Sequence, residues 1–343
     1  TFQSLAYVLE VERGEQQPER HFGIYALYVM FYPQLVAGPI ERPQNLLHQF
    51  HREHRFDADR AIHGLNRMAY GFFKKLVIAD RLALYVNRVY GDVSGHTTIP
   101  IVLAMVFFSI QIYCDFSGYS DIAMGSAEVM GFDLMQNFER PFLSRSITEF
   151  WRRWHRSLST WFNDYLFTPL SMALRDHGKL GIALALMTTF LVSGLWHGAG
   201  WTFVIYGGMH GVALVYEALT KKRRKAVAAA LGARPYEWLS RVSMFVFVTC
   251  SYVFFRATSV AQAGAMFGAI AHPRLSFKLT QLCAGLGPFY MLVSALALGL
   301  LVLSYRLPPD LRIKRNLSFA CAMTAAILLL GKTSSGAFIY FQF

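Results

Sequence analysis

The sequence predicts an all-α, multi-pass membrane protein, and three observations carry that prediction. Of its 343 residues, 54% are hydrophobic and only 16% are charged, where an ordinary soluble domain carries about 25% charged residues. Much of the surface therefore faces something other than water. The apolar residues are gathered into segments of roughly the length a helix needs to cross a bilayer. The basic excess, a net charge of +12, lies between those segments, in Lys221–Lys225 and again at Arg306, Arg312, Lys314 and Arg315. That is the pattern of cytoplasmic loops under the positive-inside bias. It makes the lipid bilayer the expected partner and argues against nucleic acid.

Taken in order, Phe22–Val36 is a weak spanning candidate, and so is Ala69–Val89, whose Lys74, Lys75, Asp80 and Arg81 predict burial against protein or at the interface. Ile99–Cys114 is a strong one. Asp115–Gly131 differs from it in being rich in Gly and Ser. Glu139–Tyr165 interleaves Arg140, Arg145, Arg152, Arg153 and Arg156 with Phe150, Trp151, Trp154, Trp161 and Phe162, and reads as an interfacial or re-entrant helix. Leu180–Leu195, Trp201–Leu219, Val242–Phe255, Pro288–Leu303 and Leu317–Leu330 complete the strong spans. With Lys221–Lys225 cytoplasmic, Leu180–Leu195 runs outward and Trp201–Leu219 inward, and the next two spans return Arg306–Arg315 to the cytoplasm.

The chain starts at Thr1 with no signal-peptide pattern, and Phe2–Val11 is a partly apolar segment entering a loop, which predicts a fragment lacking N-terminal spans. The four cysteines, Cys114, Cys250, Cys283 and Cys321, show neither CxxC nor Cys/His spacing, so neither a disulfide framework nor a zinc site is predicted.

Ionisable groups within apolar segments are costly and are functional candidates for that reason. His197 stands in Ser193-Gly194-Leu195-Trp196-His197-Gly198-Ala199-Gly200-Trp201, between two apolar runs. Glycine on both sides permits a break between helices, and a break would bring the imidazole to a cavity wall. Position alone leaves two roles open: a hydrogen bond to a neighbouring helix, or acceptance of a proton from a hydroxyl. His155, with Trp151, Arg152 and Ser159 at helical spacing beside it, reads by itself as part of a Trp/Arg/His belt at headgroup depth. His210 reads as a structural group packing behind His197. Asp115 and Asp121 bracket Phe116–Ser120 with no third acidic ligand nearby, and favour an N-cap or a buried ion pair over acid–base work or cation binding. No P-loop, GxSxG or HExxH pattern occurs.

Together these residues are more specific than any of them alone. Tyr32-Pro33-Gln34-Leu35-Val36-Ala37-Gly38-Pro39-Ile40, Asp115-Phe116-Ser117-Gly118-Tyr119-Ser120-Asp121, Phe150–Ser159, Trp196-His197-Gly198 with His210-Gly211, and the ending Phe338–Phe343 occur in that order. The set resembles the membrane-bound O-acyltransferases over nearly the whole chain, nearest to the bacterial branch that acylates alginate and teichoic acid. Asn163-Asp164-Tyr165 stands where that branch often has Arg-Asp-Tyr, and Ser171–Arg175 replaces a Gly-Gly-Asn-Arg loop on the donor side.

The resemblance implies one acyltransferase transmembrane domain over 1–343, without the family's first helices, with re-entrant or interfacial helices around a central tunnel. It implies His197 and His155 as the catalytic residues, His197 as the base and His155 on the same tunnel, with Trp154, Arg152, Trp196, His210, Asp115, Asp121 and Asp164 shaping or orienting it. The reaction expected is transfer of an acyl group, acetyl first, from a cytoplasmic thioester of coenzyme A or a carrier protein to an extracytoplasmic polysaccharide hydroxyl. A periplasmic or membrane-anchored acyltransferase partner is the other acceptor expected. The expected location is the inner membrane, with no bound cofactor and no metal. D-alanyl transfer to a cell-wall polymer, an acyl-group transporter or scaffold, and a lipid-binding structural protein are the alternatives.

Overall fold

The computed structural model describes residues 2–306, 317–332 and 337–339. Among these every regular element is helical, as the sequence predicts. In order they are α1 (Phe2–Glu12), α2 (Phe22–Met30), α3 (Pro43–Phe50), α4 (Ala58–Phe72), α5 (Asp80–Gly91), α6 (Thr98–Val129), α7 (Ile147–Arg153), α8 (Arg156–Phe162), α9 (Thr168–Ala173), α10 (Gly178–His197), α11 (Trp201–Leu219), α12 (Lys221–Leu231), α13 (Ala233–Arg256), α14 (Val260–Ala271), α15 (Leu279–Leu282), α16 (Pro288–Arg306) and α17 (Leu317–Leu330). Arg312, Lys314, Arg315 and Tyr340–Phe343 lie outside the described residues.

Five helical stretches among the described residues are long and apolar enough to cross a membrane: Thr98–Val129, Arg175–His197, Trp201–Leu219, Ala233–Arg256 and Pro288–Tyr305. Three expectations change. Leu317–Leu330 forms a helix of 14 residues, short of a span. Phe22–Val36 stops being helical at Met30, because Pro33 follows in a tight turn over Tyr32–Gln34 and Val36 takes a positive φ of 70°. Asp115–Gly131 is no separate segment, since α6 runs unbroken for 32 residues to Val129.

The chain divides into two compact units. One comprises Thr1–Ala83, Ile110–Asn137 and Phe289–Gln342. Its α4 and the second half of α6 pack backbone against backbone. A Cβ at Gly64 would stand 2.5 Å from the Gly125 carbonyl oxygen, and one at Gly71 would stand 2.6 Å from that of Gly118. Small residues at this spacing let helices approach closely. After α4 a π-helical turn, Phe73–Ala79, carries Lys74 and Lys75 into the interior. Lys74 Nζ meets Asp121 at 2.5 Å and Ser117 at 2.9 Å, while Lys75 Nζ meets Asp80 and Asp115, each at 2.8 Å. Asp115 and Asp121 are therefore mid-helix ion-pair partners and not N-caps.

Glu41, outside the spans and 1% exposed, accepts the Met135 backbone N–H. Burial, opposed by hydrogen bonds from Met135 and Asn45, pushes its carboxyl up to about 7. The unfolded chain titrates near the ordinary carboxylate value. Between the two values the folded state binds more protons, so stability is full below the lower one and falls as pH rises through the upper one. The midpoint of thermal unfolding should fall between about pH 5 and about pH 8, and Glu41→Gln should flatten that dependence. Equal slopes in the two proteins would contradict the assignment.

The second unit comprises Leu84–Ser109 and Phe138–Pro288. Its centre is the antiparallel pair α10 and α11, again closed on glycine. A Cβ at Gly194 would stand 2.4 Å from the Phe203 carbonyl oxygen, and one at Gly207 would stand 2.2 Å from that of Phe190. α13 packs across α11.

Candidate active site

His197 is the last residue of α10. Gly198, whose N–H bonds the Leu195 carbonyl at 3.2 Å, ends the helix. A Cβ there would stand 2.3 Å from the Phe203 ring, so only glycine lets the chain turn under that ring. The break expected between the two apolar runs is present. It leaves the imidazole at a helix end, 8% exposed, with the rings of Trp196 at 4.8 Å, Phe255 at 5.1 Å and Tyr206 at 6.0 Å.

His155 reaches the same place by a different route. One helix was expected across Phe150–Ser159, but α7 ends at Arg153 and α8 begins at Arg156. Trp154 is extended and His155 is left-handed, at φ 42°. A left-handed non-glycine residue costs about 1–3 kcal/mol and persists only where its surroundings impose it. Here Trp154 stacks on Phe150 at 5.5 Å and meets Phe138 at 5.0 Å and Tyr252 at 5.7 Å. Those contacts turn the chain at His155, which is buried. Its ring centre lies 6.4 Å from that of Trp196, which itself meets the His197 ring at 4.8 Å.

His210 on α11 belongs to a closed hydrogen-bond chain. The Trp151 indole N–H donates to His210 Nδ1 at 3.2 Å. Ser251 Oγ donates to the Val248 carbonyl at 2.8 Å, so its contact with His210 Nε2, at 3.0 Å, is one in which the ring N–H donates. This fixes His210 as the neutral Nε2–H tautomer. His210→Ala should lower stability by about 3 kcal/mol, from a vacated ring volume plus an indole N–H and a hydroxyl left with one partner fewer. Ser251→Ala should cost about 1 kcal/mol. Unfolding of the purified protein in graded denaturant reads both, and equal effects would contradict the chain as described.

Beside these groups lies a cavity of about 970 Å³. Ile182, Leu186, Thr189 and Ser193 line it from α10, and His197 is the next residue on that face, four beyond Ser193. Trp151, Arg152, Arg156 and Ser159 line it from α7 and α8, and Lys221 and Arg224 from α12. The wall mixes apolar side chains such as Leu186, Leu158 and Phe162 with the cations Arg152, Arg156, Lys221 and Arg224 and one carboxylate, Glu217. That suits a ligand with an apolar arm and an anionic head.

The structure thus brings His155, His197, His210, Trp154 and Trp196 together in one unit, with Arg152 on the cavity wall. Asp164 lies in the π-helical turn Asn163–Phe167, exposed, where it accepts from Asn163 at 3.0 Å. Asp115 and Asp121 belong to the other unit and are engaged by Lys75 and Lys74. Sequence reasoning did not single out Tyr206 or Ser251, and it read Trp151 only as a neighbour of His155 in the aromatic–basic segment. Tyr206, four residues before His210, meets the rings of both His197 and His210, and the i, i+4 spacing was the available signal. Among the described residues no three His, Cys, Asp or Glu side chains converge as a metal site.

A sequence profile of the membrane-bound O-acyltransferase family matches residues 19–259. The chain is 40% identical over 274 residues to a probable alginate O-acetylase of Azotobacter vinelandii, covering 78% of this chain and 52% of that protein. It is 36% identical over 249 residues to a peptidoglycan O-acetyltransferase of Helicobacter pylori, covering 71% and 45%. It is 27% identical over 249 residues to a teichoic acid D-alanyltransferase of Bacillus subtilis, covering 70% and 60%. The chain spans about half the length of the alginate and peptidoglycan relatives.

Proposed function

Because this chain belongs to the membrane-bound O-acyltransferase family, we propose that it moves an acyl group, acetyl in the first instance, from a cytoplasmic thioester donor to a hydroxyl on the other side of the membrane. The acceptor is an extracytoplasmic polysaccharide or a partner transferase that completes the delivery, and the membrane is the inner membrane. The observation that carries this reading is the α10 face on which Thr189 and Ser193 line the 970 Å³ cavity and His197 follows four residues on, buried against Trp196, whose ring also neighbours His155.

In this reading the neutral His197 ring takes the proton of the acceptor hydroxyl as its oxygen attacks the thioester carbonyl. The tetrahedral adduct collapses with cleavage of the carbon–sulfur bond. The thiolate leaves with the electron pair and recovers the proton from the imidazolium. His155 and Trp154 shape the channel beside the reacting carbon. Arg152, Arg156, Lys221 and Arg224 hold the anionic part of the donor at the cavity wall. Asp115 and Asp121 tie α6 to the Lys74–Lys75 turn within their own unit.

The two acetyl-transferring relatives are 36–40% identical and the D-alanyl-transferring one 27%, which favours acetyl. The competing reading is a transporter that hands the acyl group to a separate enzyme. Full-length protein in sealed vesicles, given labelled thioester outside and acceptor inside, separates the two. Replacing both His155 and His197 by alanine should abolish labelled product. Label that still crosses the membrane and accumulates at the unsubstituted rate would overturn the enzyme reading in favour of the transporter.

A further inference from the structure

Beyond His210, on the same face of α11 and on the wall of the same cavity, stands a carboxylate to which the chemistry above gives no part. Glu217 Oε1 accepts the backbone N–H of Ile147 at 2.7 Å, and Oε2 accepts the backbone N–H of Thr148 at 3.0 Å and its hydroxyl at 2.7 Å. These amides belong to the first turn of α7, which has no acceptors within its own helix. The next amide, Glu149 N–H, is taken by Ser146 Oγ at 3.0 Å. Glu217 and His210 are seven residues apart on α11, hence on one face. Together they grip α7 twice, at its N-terminal amides and at the Trp151 indole.

A helix of seven residues has little stability of its own, so its direction is set by what holds it. α7 ends directly before the Trp154–His155 break, and any tilt about its N-terminus is passed to the His155 ring. We propose that Glu217 is a positioning residue for the transfer reaction: it locks α7 onto α11 so that the His155 imidazole is held beside Trp196 and His197. The part of this that concerns the reaction rests on the reading of His197 as the base. The geometry of the α7 anchor does not.

The test uses the full-length protein with Glu217→Ala and Glu217→Gln. The alanine variant should lose about 10-fold in kcat with donor KM changed less than about 2-fold. The glutamine variant, which keeps one acceptor oxygen, should fall between it and the unsubstituted protein. Hydrogen exchange should accelerate at the Ile147 and Thr148 amides while α10 and α11 stay protected. Unchanged exchange at those amides overturns the proposal, as does an unchanged kcat, or a loss of protection spread over α10 and α11 that marks general unfolding. His197→Ala measured alongside keeps the two readings apart. Full activity in that variant, with faster exchange at Ile147 and Thr148 in Glu217→Ala, sinks the assignment of His197 and supports the anchor.

Discussion

His197→Ala in the full-length protein lowers the rate of acyl transfer by about 10³-fold with the amount of folded protein unchanged. The magnitude follows from the role: a positioned general base contributes roughly 10²–10⁴-fold, and the row Thr189, Ser193 on α10 runs toward His197. Integrity should survive because the helix end and the helix pair at this point are shaped by glycines. The turn after His197 is made by Gly198 under the Phe203 ring, and the helix pair is closed by Gly194 and Gly207. His197→Gln, of similar size and unable to act as a base, should be as inactive as alanine. His155→Ala should be milder, about 10–100-fold, since it shapes the channel and does not move the proton. The measurement is turnover of a thioester donor with a hydroxyl acceptor, read with the thermal unfolding midpoint of each variant. A His197→Ala protein that turns over within a few-fold of the unsubstituted rate would remove the residue from the chemistry.

The break at His197 was legible in the sequence, and the one at His155 was not, for a physical reason. Gly198 and Gly200 flank His197 and announce a chain that can turn. Around His155 there is neither glycine nor proline, and the segment has the spacing of a continuous amphipathic helix. Its left-handed conformation is imposed by Trp154 packing among Phe138, Phe150 and Tyr252, and Tyr252 is far away in sequence. The reverse misreading befell Asp115–Gly131. Its glycines suggested a separate segment, yet Gly118 and Gly125 are contact points inside α6, and their partners Gly71 and Gly64 lie on α4. A glycine's meaning depended on whether a second backbone lay opposite it. The five long spans needed no such partner, and so could be read directly from apolar length. Glu217 was invisible for the converse reason. In sequence it is one carboxylate near the end of an apolar run, and only the fold shows that the amides of α7 sit upon it.

Lys75→Met should cost about 3–5 kcal/mol of stability, the largest loss expected from any single substitution outside the cavity. Lys75 is 4% exposed, Asp115 is 2% exposed, and the ammonium bridges Asp115 and Asp80 at 2.8 Å each. Removing the cation leaves two carboxylates together in the interior, which is more costly than the absence of the whole group would be. The effect should reach further along the chain, because Asp115 Oδ2 also accepts the Ile339 N–H at 2.8 Å and Lys75 donates to the Ala337 carbonyl at 3.3 Å. Loss of the lysine therefore loosens the segment around Ala337–Ile339 from α6 as well. Asp115→Asn alone should be destabilising too, by about 2–3 kcal/mol, through the weakened charge pairing. The two changes together should cost less than their sum, since the asparagine removes one of the two charges that Lys75→Met strands. Denaturant unfolding of the four proteins gives the coupling directly. Strict additivity, or a Lys75→Met cost below about 1 kcal/mol, would show that the lysine does not bind its two carboxylates as the distances require.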